Sequence, residues 1–296
     1  MSPPSILASA KLNLFLAVTE RRPDGFHDLV SLVVRLDFGD FLSVRVQEDG
    51  EGKFSMECDD PDLPVDETNL VTRAARSFAK AANWNGSVHF RLQKRIPLGA
   101  GLGGGSSDAV AALGELNRQT GKPLAAAPMV EVAAQLGSDC PLFLRDGPVI
   151  MRGRGERVEA LAAGAAARLR GRRVLIFKPA FGVATPWAYA QMVAQPDTYV
   201  PAPEAEARLA RWISDESRPV EELLFNNMEF EVFKKYPALP ILLRRLRSEY
   251  GLVGRMSGSG SGCFAFLPHE VKSEPIVETI RDAWGKSAFV VEACVL

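Results

Sequence analysis

The sequence predicts an α+β protein with two domains, and three observations support this. A strand-like run of alternating apolar residues at 87–93 leads through a glycine-rich stretch into a segment of helical pattern at 106–119. An alanine-rich stretch, Ala160 to Ala167, precedes a new strand-like run and suggests a boundary between two halves. The chain closes on a strand, a helix and a strand between residues 263 and 294, which is typical of a ferredoxin-like second half.

The local patterns predict the elements in chain order. Strands are expected at 9–18, 29–36, 41–47, 53–57, 87–93, 149–151, 173–178, 263–267 and 287–294. Helices are expected at 69–82, 106–119, 127–136, 186–193, 222–234, 238–249 and 270–284. Thr68 or Asn69 is a suitable cap for the first helix, and the second is expected to end at Gly121-Lys-Pro123. Residues 196–206, rich in Pro, Ala and acid, are expected to form an exposed loop or insertion.

Composition limits the possible partners. The 296 residues are 47% apolar and 24% charged, which is ordinary for a globular protein. The formal net charge is −1 and the sequence has no long basic run, so neither nucleic acid nor an anionic membrane is expected as the main partner. The thiols of Cys58, Cys140, Cys263 and Cys294 are far apart in sequence, which favours reduced thiols in the cytoplasm over a zinc site. No basic region and apolar core precede Ala8-Ser9-Ala10, so no signal peptide is expected.

The most informative stretch is the glycine-rich segment Pro97–Asp108. Its glycines allow positive φ and leave the backbone amides open to a ligand. Ser106, Ser107 and Asp108 are residues that favour a helix start, where unpaired N–H groups and the helix dipole attract an anion. The stretch therefore predicts a loop that holds nucleotide phosphates, and a tight turn without a ligand is the alternative from these residues alone.

Other glycine motifs fit less well. Gly99-x-Gly101-x-x-Gly104 satisfies the dinucleotide-binding pattern, but Leu124 stands where an acid should bind ribose, which disfavours a dinucleotide-dependent oxidoreductase. No lysine follows the glycines as in a P-loop, and the His-Arg-Asp and Asp-Phe-Gly triplets of protein kinases are absent.

Two charged residues stand in apolar surroundings. Lys11 alternates with Asn13 along the first strand, and Asp139 lies between Gly137 and the apolar run that follows it. A buried charge needs a partner, so a catalytic interpretation pairs Lys11 with Asp139. The alternatives are a lysine that extends to solvent and an aspartate that forms an Asx turn or caps the next turn.

Two further motifs follow turn residues. Pro23-Asp24-Gly25 places Phe26 and His27 at the start of a strand, where they could cover and hydrogen-bond a planar ring; the alternative is a hairpin whose Phe26 belongs to the core. Residues 255–262, Arg-Met-Ser-Gly-Ser-Gly-Ser-Gly, look like a flexible linker, but apolar strands on both sides make a linker unexpected.

Together these segments resemble the GHMP small-molecule kinases. The resemblance rests on Ser9–Leu16, Arg21–His27, the glycine-rich segment, Leu136–Phe143 and Met256–Gly260, in that order along the chain. The Pro-Asp-Gly-aromatic-His element distinguishes between members of this family. It is similar to an element of the members that act on a cytidine diphosphate-linked methylerythritol, and the other GHMP kinases lack it.

The resemblance implies a fold and an activity. It implies a GHMP kinase fold, with an N-terminal domain at 1–165 that resembles ribosomal protein S5 domain 2 and a ferredoxin-like domain at 166–296. It implies ATP-dependent phosphorylation, with Mg²⁺, of the substrate's 2-hydroxyl group in non-mevalonate isoprenoid synthesis. The partner is then a small molecule, with no nucleic acid or membrane, and the chain a monomer or weak homodimer.

The resemblance also assigns roles to residues. Asp139 matches the family's catalytic base, which also contacts the substrate. Lys11 matches the residue that polarises the substrate's hydroxyl group. The phosphate- and ATP-binding positions are Pro97, Gly99, Ala100, Gly101, Leu102, Gly103, Gly104, Gly105, Ser106, Ser107, Asn69 and Leu70. The substrate-binding positions are Asn13, Phe26, His27, Asp139, Thr185, Gly258 and Ser259. No protein metal site is implied beyond Mg²⁺ carried with ATP, near Ser107 and Asp108.

Two departures from the family pattern leave questions open. Phe26 replaces a tyrosine, so stacking is kept and one hydroxyl contact is lost. Asp108 replaces the more usual asparagine, and its carboxylate either weakens ATP binding or assists the metal. The remaining alternatives are a related kinase acting on mevalonate, homoserine or a sugar, and a non-catalytic nucleotide-binding protein of the same fold.

Overall fold

The structure is a computed structural model that describes residues 4–121 and 124–296. The strands are β1 (Ser5–Arg21), β2 (His27–Gln47), β3 (Phe54–Cys58), β4 (Ser87–Gln93), β5 (Val149–Gly153), β6 (Arg157–Ala160), β7 (Arg173–Lys178), β8 (Phe225–Asn226), β9 (Gly254–Met256), β10 (Cys263–Phe266) and β11 (Phe289–Cys294). The helices are α1 (Leu70–Ala82), α2 (Gly104–Gln119), α3 (Ala126–Leu136), α4 (Ala163–Ala167), α5 (Thr185–Ala194), α6 (Ala202–Ser214), α7 (Glu229–Lys235), α8 (Ala238–Tyr250) and α9 (Glu274–Trp284). Lys122 and Pro123, part of the predicted helix end, lie outside the described residues.

The chain divides into two compact units that alternate along the sequence. The first unit contains the described residues up to Ala10, Phe38–Ile96 and Gly103–Asp146. The second unit contains Lys11–Asp37, Pro97–Leu102 and Gly147–Leu296. The glycine-rich segment thus passes from the second unit to the first at residue 103. The domain limits drawn from the sequence, 1–165 and 166–296, stay a prediction.

The first unit packs helices on a sheet. The second half of β2 pairs antiparallel with β4, and β4 pairs parallel with β3. Helix α1 begins because the Asn69 side chain accepts the Val71 N–H at 2.9 Å, so Asn69, and not Thr68, is the cap of the two predicted. Phe78 of α1 and Phe90 of β4 are fully buried, so the helix contributes to the core that supports the sheet.

The second unit contains the ferredoxin-like part. Its sheet has the strand order β11-β7-β10-β9, which is 4-1-3-2 when the four strands are numbered along the chain. Each pair of neighbouring strands in this sheet is antiparallel. A helix follows the first strand and another precedes the last, so the predicted ferredoxin-like second half is confirmed. In the same unit, β8 pairs parallel with β1 at Phe15↔Phe225 and Leu16↔Asn226.

Two sequence predictions are wrong. The helix expected at 222–234 begins only at Glu229, because Phe225 and Asn226 pair with a strand distant in sequence. The loop expected at 196–206 contains a 3₁₀ turn at Pro196–Thr198 and the start of α6, whose inner face buries Leu209 and Trp212. Among the described residues, no helix has the length and apolarity needed to cross a bilayer.

Candidate active site

The first half of the glycine-rich segment, in the second unit, packs against the turn that follows β9. Gly99 and Gly101 have φ of +64° and +75°, and Gly262 N–H donates to the Ala100 carbonyl at 3.1 Å. A Cβ added to Gly101 would lie 2.0 Å from the Ser257 carbonyl oxygen. Only glycine permits this approach, so two segments far apart in sequence form one structure.

The turn after β9, residues 257–262, is ordered structure and not a linker. Ser257 and Ser261 are fully buried, and β9 and β10 on either side pair antiparallel. Gly258 has a φ of +61°, and a Cβ there would lie 3.3 Å from Asn13 Oδ1 and 3.4 Å from Lys11 Nζ. The turn therefore carries Gly258 to the side of the two polar residues of β1.

Lys11 and Asn13 form a buried polar pair on β1. Lys11 Nζ donates to Asn13 Oδ1, and Asn13 Nδ2 donates to Ser31 Oγ at 2.9 Å. Lys11 is 4% exposed, so it does not extend to solvent as one alternative held. The backbone N–H of Lys11 donates to the Leu102 carbonyl at 2.9 Å, which joins this pair to the glycine-rich segment.

The second half of the glycine-rich segment starts α2 in the first unit. Gly103 has a φ of +74° and caps the helix, and no side chain among the described residues caps it by a hydrogen bond. The first N–H groups of a helix lack intrahelical acceptors and face the positive end of its dipole. This helix start therefore has the chemistry of an anion site.

Residues around this helix start belong to two other predicted segments. Leu70 Cδ1 would lie 3.5 Å from a Cβ on Gly105, which brings the start of α1 next to the loop. Ser106 is hydrogen-bonded to the Cys140 side chain. Asp139 precedes Cys140 and is half-buried, and its side chain does not cap the 3₁₀ helix that follows. The capping alternative for Asp139 is therefore wrong.

The structure gives Asp108 a different environment from the one expected. Its Oδ2 accepts a hydrogen bond from Lys94 Nζ at 2.8 Å, and the same ammonium donates to Asp40. Asp40 also accepts the N–H groups of Arg95 and Ile96. Burial raises the pKa of Asp108 to about 7, against the opposing effect of the Lys94 ammonium. The Asp108 carboxylate is thus part of a buried charge cluster that supports the loop.

His27 lies within an aromatic group in the second unit. Its ring stacks on Tyr189 with centroids 4.6 Å apart and on Tyr199 with centroids 5.9 Å apart. Burial lowers the pKa of His27, and the nearby Arg21 lowers it further, so the imidazole is neutral at pH 7. His27 Nε2 is buried and has no hydrogen-bond partner among the described residues.

Phe26 is outside the core, so the alternative of a core Phe26 is wrong. The residue is 50% exposed, and the Arg154 guanidinium lies 4.7 Å from the centroid of its ring. Its N–H donates to Asp24 Oδ1 at 3.1 Å, as the predicted turn requires.

Two more of the predicted substrate-binding residues are in contact, and three residues near the site were not predicted from the sequence. The hydroxyl groups of Thr185 and Ser259 are 2.7 Å apart, at the start of α5 and in the turn after β9. Sequence reasoning did not find Tyr189, Tyr199 or Lys94. Lys11 belongs to the second unit and Asp139 to the first, and their pairing stays a prediction.

Both halves of the chain match families of one class of protein. The family described as "GHMP kinases N terminal domain" matches residues 69–147, and "GHMP kinases C terminal" matches residues 214–287. A mevalonate kinase of Methanococcus jannaschii shares the fold, with a TM-score of 0.72 at 13% identity over 100% of this chain and 99% of the other. The chain has the two-domain α+β fold of the GHMP kinases.

Curated relatives narrow the family. A relative from Synechococcus elongatus is 34% identical, and the match covers 94% of this chain and 91% of the relative. A relative from Chlorobaculum parvum is 35% identical, and the match covers 95% of this chain and 94% of the relative. Both are named 4-diphosphocytidyl-2-C-methyl-D-erythritol kinase. A crystal structure of a 4-(cytidine 5'-diphospho)-2C-methyl-D-erythritol kinase has a TM-score of 0.77 at 32% identity, covering 98% of this chain and 99% of the other. The chain belongs to the 4-diphosphocytidyl-2-C-methyl-D-erythritol kinase family.

Proposed function

We propose that the chain transfers the γ-phosphoryl group of ATP to the 2-hydroxyl group of 4-diphosphocytidyl-2-C-methyl-D-erythritol, in the non-mevalonate pathway to isoprenoid precursors. The names of the full-length relatives support this substrate. The observation that carries the proposal is His27, whose ring stacks on two tyrosine rings and whose buried Nε2 has no hydrogen-bond partner in the part of the chain that the structure describes.

The aromatic group suits a cytosine ring. A neutral imidazole offers one donor and one acceptor, which can pair with the polar edge of a pyrimidine base. The exposed Phe26 ring provides an apolar surface for stacking next to this histidine. We assign base recognition to His27 and Phe26, with Tyr189 and Tyr199 holding the imidazole.

The glycine-rich segment suits the phosphates of ATP. We assign Pro97, Gly99–Ser107 and the α1 start at Asn69 and Leu70 to nucleotide binding, with loop amides facing the β- and γ-phosphates. Ser107 would offer its hydroxyl oxygen to the Mg²⁺ carried with ATP, and the ion would supply positive charge that neutralises the phosphate groups. Asp108 is occupied by Lys94 and is left out of this assignment.

Lys11 and Asp139 are assigned to the chemical step. The substrate hydroxyl oxygen attacks the γ-phosphorus, the bond to the β–γ bridging oxygen breaks, and ADP leaves with that electron pair. The hydroxyl proton goes to the Asp139 carboxylate, while the Lys11 ammonium polarises the oxygen. Asn13, Thr185, Gly258 and Ser259 would bind the substrate beside Lys11, which agrees with the contacts of Gly258.

The broader setting is also a proposal. We assign the family domains to residues 1–165 and 166–296, and the two family matches fall on either side of this limit. We place the protein in the cytoplasm, where its four free cysteines would stay reduced. We expect it to act on this small molecule without nucleic acid or membrane, as a monomer or weak homodimer.

An acceptor panel tests the proposal. The purified chain is given ATP and Mg²⁺ with the cytidine-linked substrate, mevalonate, homoserine or galactose, and ADP release is followed by a coupled assay. We expect ADP only with the cytidine-linked substrate, and ³¹P NMR should show a new phosphomonoester on its 2-oxygen. Turnover of another acceptor instead would favour a related GHMP kinase, and ATP binding without turnover of any acceptor would favour a non-catalytic protein.

A further inference from the structure

Two consecutive buried asparagines in the second unit have no role in the reaction described above. Asn226 ends the short strand β8 and is 4% exposed, and Asn227 follows it and is fully buried. Burying an amide costs free energy unless its donors and acceptor are satisfied, so each side chain must have a structural partner.

Asn226 holds the turn that carries Gly258. Its Nδ2 donates to the carbonyl oxygens of Met256 and Gly258 at 2.9 Å and 2.8 Å, and its Oδ1 accepts the Met228 N–H at 2.9 Å. Glu229 adds to this by accepting the Met256 N–H at 2.8 Å. The amide therefore fixes both carbonyls that flank Ser257.

Asn227 holds the segment that carries Tyr199. Its Nδ2 donates to the carbonyl oxygens of Thr198 and Val18 at 2.9 Å and 2.8 Å, and its Oδ1 accepts the Val18 N–H at 2.9 Å. The peptide next to Thr198 leads directly to Tyr199, whose ring stacks on His27. The Val200 N–H also donates to Val18, so this segment lies along β1.

The two amides contact different segments of the proposed substrate site. Asn226 sets the backbone of Gly258, which lies beside Asn13 and Lys11. Asn227 sets the backbone next to a ring that packs on His27. Strand pairing of β8 with β1 fixes the two asparagines relative to the strand that carries Lys11 and Asn13. Neither amide needs to touch a ligand for this effect.

We propose that Asn226 and Asn227 are positioning residues, Asn226 for the turn that meets the reacting end of the substrate and Asn227 for the aromatic group that reads the base. The inference rests on the proposed function for its kinetic consequences. Its structural part, that each amide orders its own segment, is independent of the substrate.

Kinetics of Asn226→Ala and Asn227→Ala test the division of roles. For Asn227→Ala we expect KM for the cytidine-linked substrate to rise about tenfold with kcat and KM for ATP within about twofold, because one set of hydrogen bonds behind the base site is lost. For Asn226→Ala we expect kcat to fall at least about tenfold, because the turn against Gly101 and Lys11 loses its support.

A matched control is available in the first unit. Asn117 also holds backbone with its amide, through the N–H and carbonyl of Leu124, but it lies 13 residues along α2 from Gly104, about 20 Å away. Asn117→Ala should leave all three kinetic constants near the wild-type values. The serine variants of Asn226 and Asn227, which keep one donor, should give smaller effects and serve if an alanine variant does not fold.

Hydrogen–deuterium exchange gives a second measurement that needs no activity. Asn226→Ala should increase exchange in residues 256–262 and leave 198–200 protected, and Asn227→Ala should do the reverse. Equal changes in both segments, or equal kinetic losses for both variants, would overturn the division of roles. If the wild-type chain prefers another acceptor, the proposed function is wrong, and the exchange pattern still decides whether each amide orders its own segment.

Discussion

The Ser257 hydroxyl group donates a hydrogen bond of 3.1 Å to the Gly101 carbonyl oxygen, across 156 positions of sequence. The same glycine would meet the Ser257 carbonyl if it carried a side chain. The position of the first half of the glycine-rich segment therefore depends on the turn after β9, and the two motifs are one structural feature of the second unit.

Gly101→Ala tests this close approach. The new Cβ would lie 2.0 Å from the Ser257 oxygen, and φ of +75° is strained for alanine, so the loop must move. We expect kcat/KM for ATP to fall by about 100-fold, since displacements of about 1 Å have such effects. Gly171→Ala is the control, because Gly171 has a similar φ of +73° and open space around its Cβ position. It should lose about 1 kcal/mol of stability and keep its activity. Equal activity of the two variants would contradict the argument.

Asp139→Asn tests the assignment of the base. An amide cannot take the proton of the hydroxyl group but keeps the shape of the side chain, so we expect kcat to fall by about 10² to 10⁴. Calorimetry should find ATP affinity within about twofold of the wild-type value. Asp62→Asn, an exposed carboxylate of the same unit, should behave as wild type. Turnover at the wild-type rate in Asp139→Asn would exclude Asp139 as the base.

His27 is expected to give the substrate affinity a pH dependence. Burial keeps the pKa of His27 below its ordinary 6.5, so the imidazole is neutral above that pH and becomes charged as the pH falls. The charged form loses its acceptor, and KM for the cytidine-linked substrate should rise below pH 6.5 while KM for ATP changes little. His27→Ala should raise the substrate KM about tenfold and flatten this profile. A similar acid rise of KM in the variant would assign the titration to another group.

Local sequence signals predicted the parts of the site that are built from neighbouring residues. Asn69 was found as one of two candidate caps, with Thr68, because capping involves residues two or three positions apart. The glycine-rich segment was found because positive φ has a strong residue preference. The predicted start of α2 at Ser106 was two residues late, because Gly103 caps the helix without a side-chain hydrogen bond and the helix begins at Gly104. The strand after residues 257–262 was found from its apolar run, and the strand before them was expected at 252–253 but lies at 254–256; the pairing of the two strands excludes a linker.

Long-range contacts explain what was missed. Residues 225–227 have a helical pattern, yet they pair with β1 more than 200 positions earlier. Tyr199 stands in a stretch with the composition of an exposed loop, and only the fold places its ring on His27. Lys94 looks like a surface lysine at a strand end, but its ion pair with Asp40 spans 54 positions. Periodicity and propensity report contacts within a few residues, so they carry no signal for these pairs.

The cluster of Lys94, Asp40 and Asp108 makes a prediction about stability. Lys94→Met removes the ammonium that binds the buried acids Asp40 and Asp108, and urea unfolding at pH 7 should show a loss of about 3–5 kcal/mol. Asp108→Asn keeps an oxygen that can accept a hydrogen bond from Lys94, so it should cost much less stability.

The same cluster should make the stability depend on pH. The pKa of Asp108 is raised from 3.8 to about 7, so the folded state binds one more proton than the unfolded state between these pH values. Stability of the wild type should therefore fall, relative to Asp108→Asn, as pH rises from about 4 to 7. Parallel pH profiles of the two proteins would show that the Asp108 carboxylate is ionised in the folded state throughout this range.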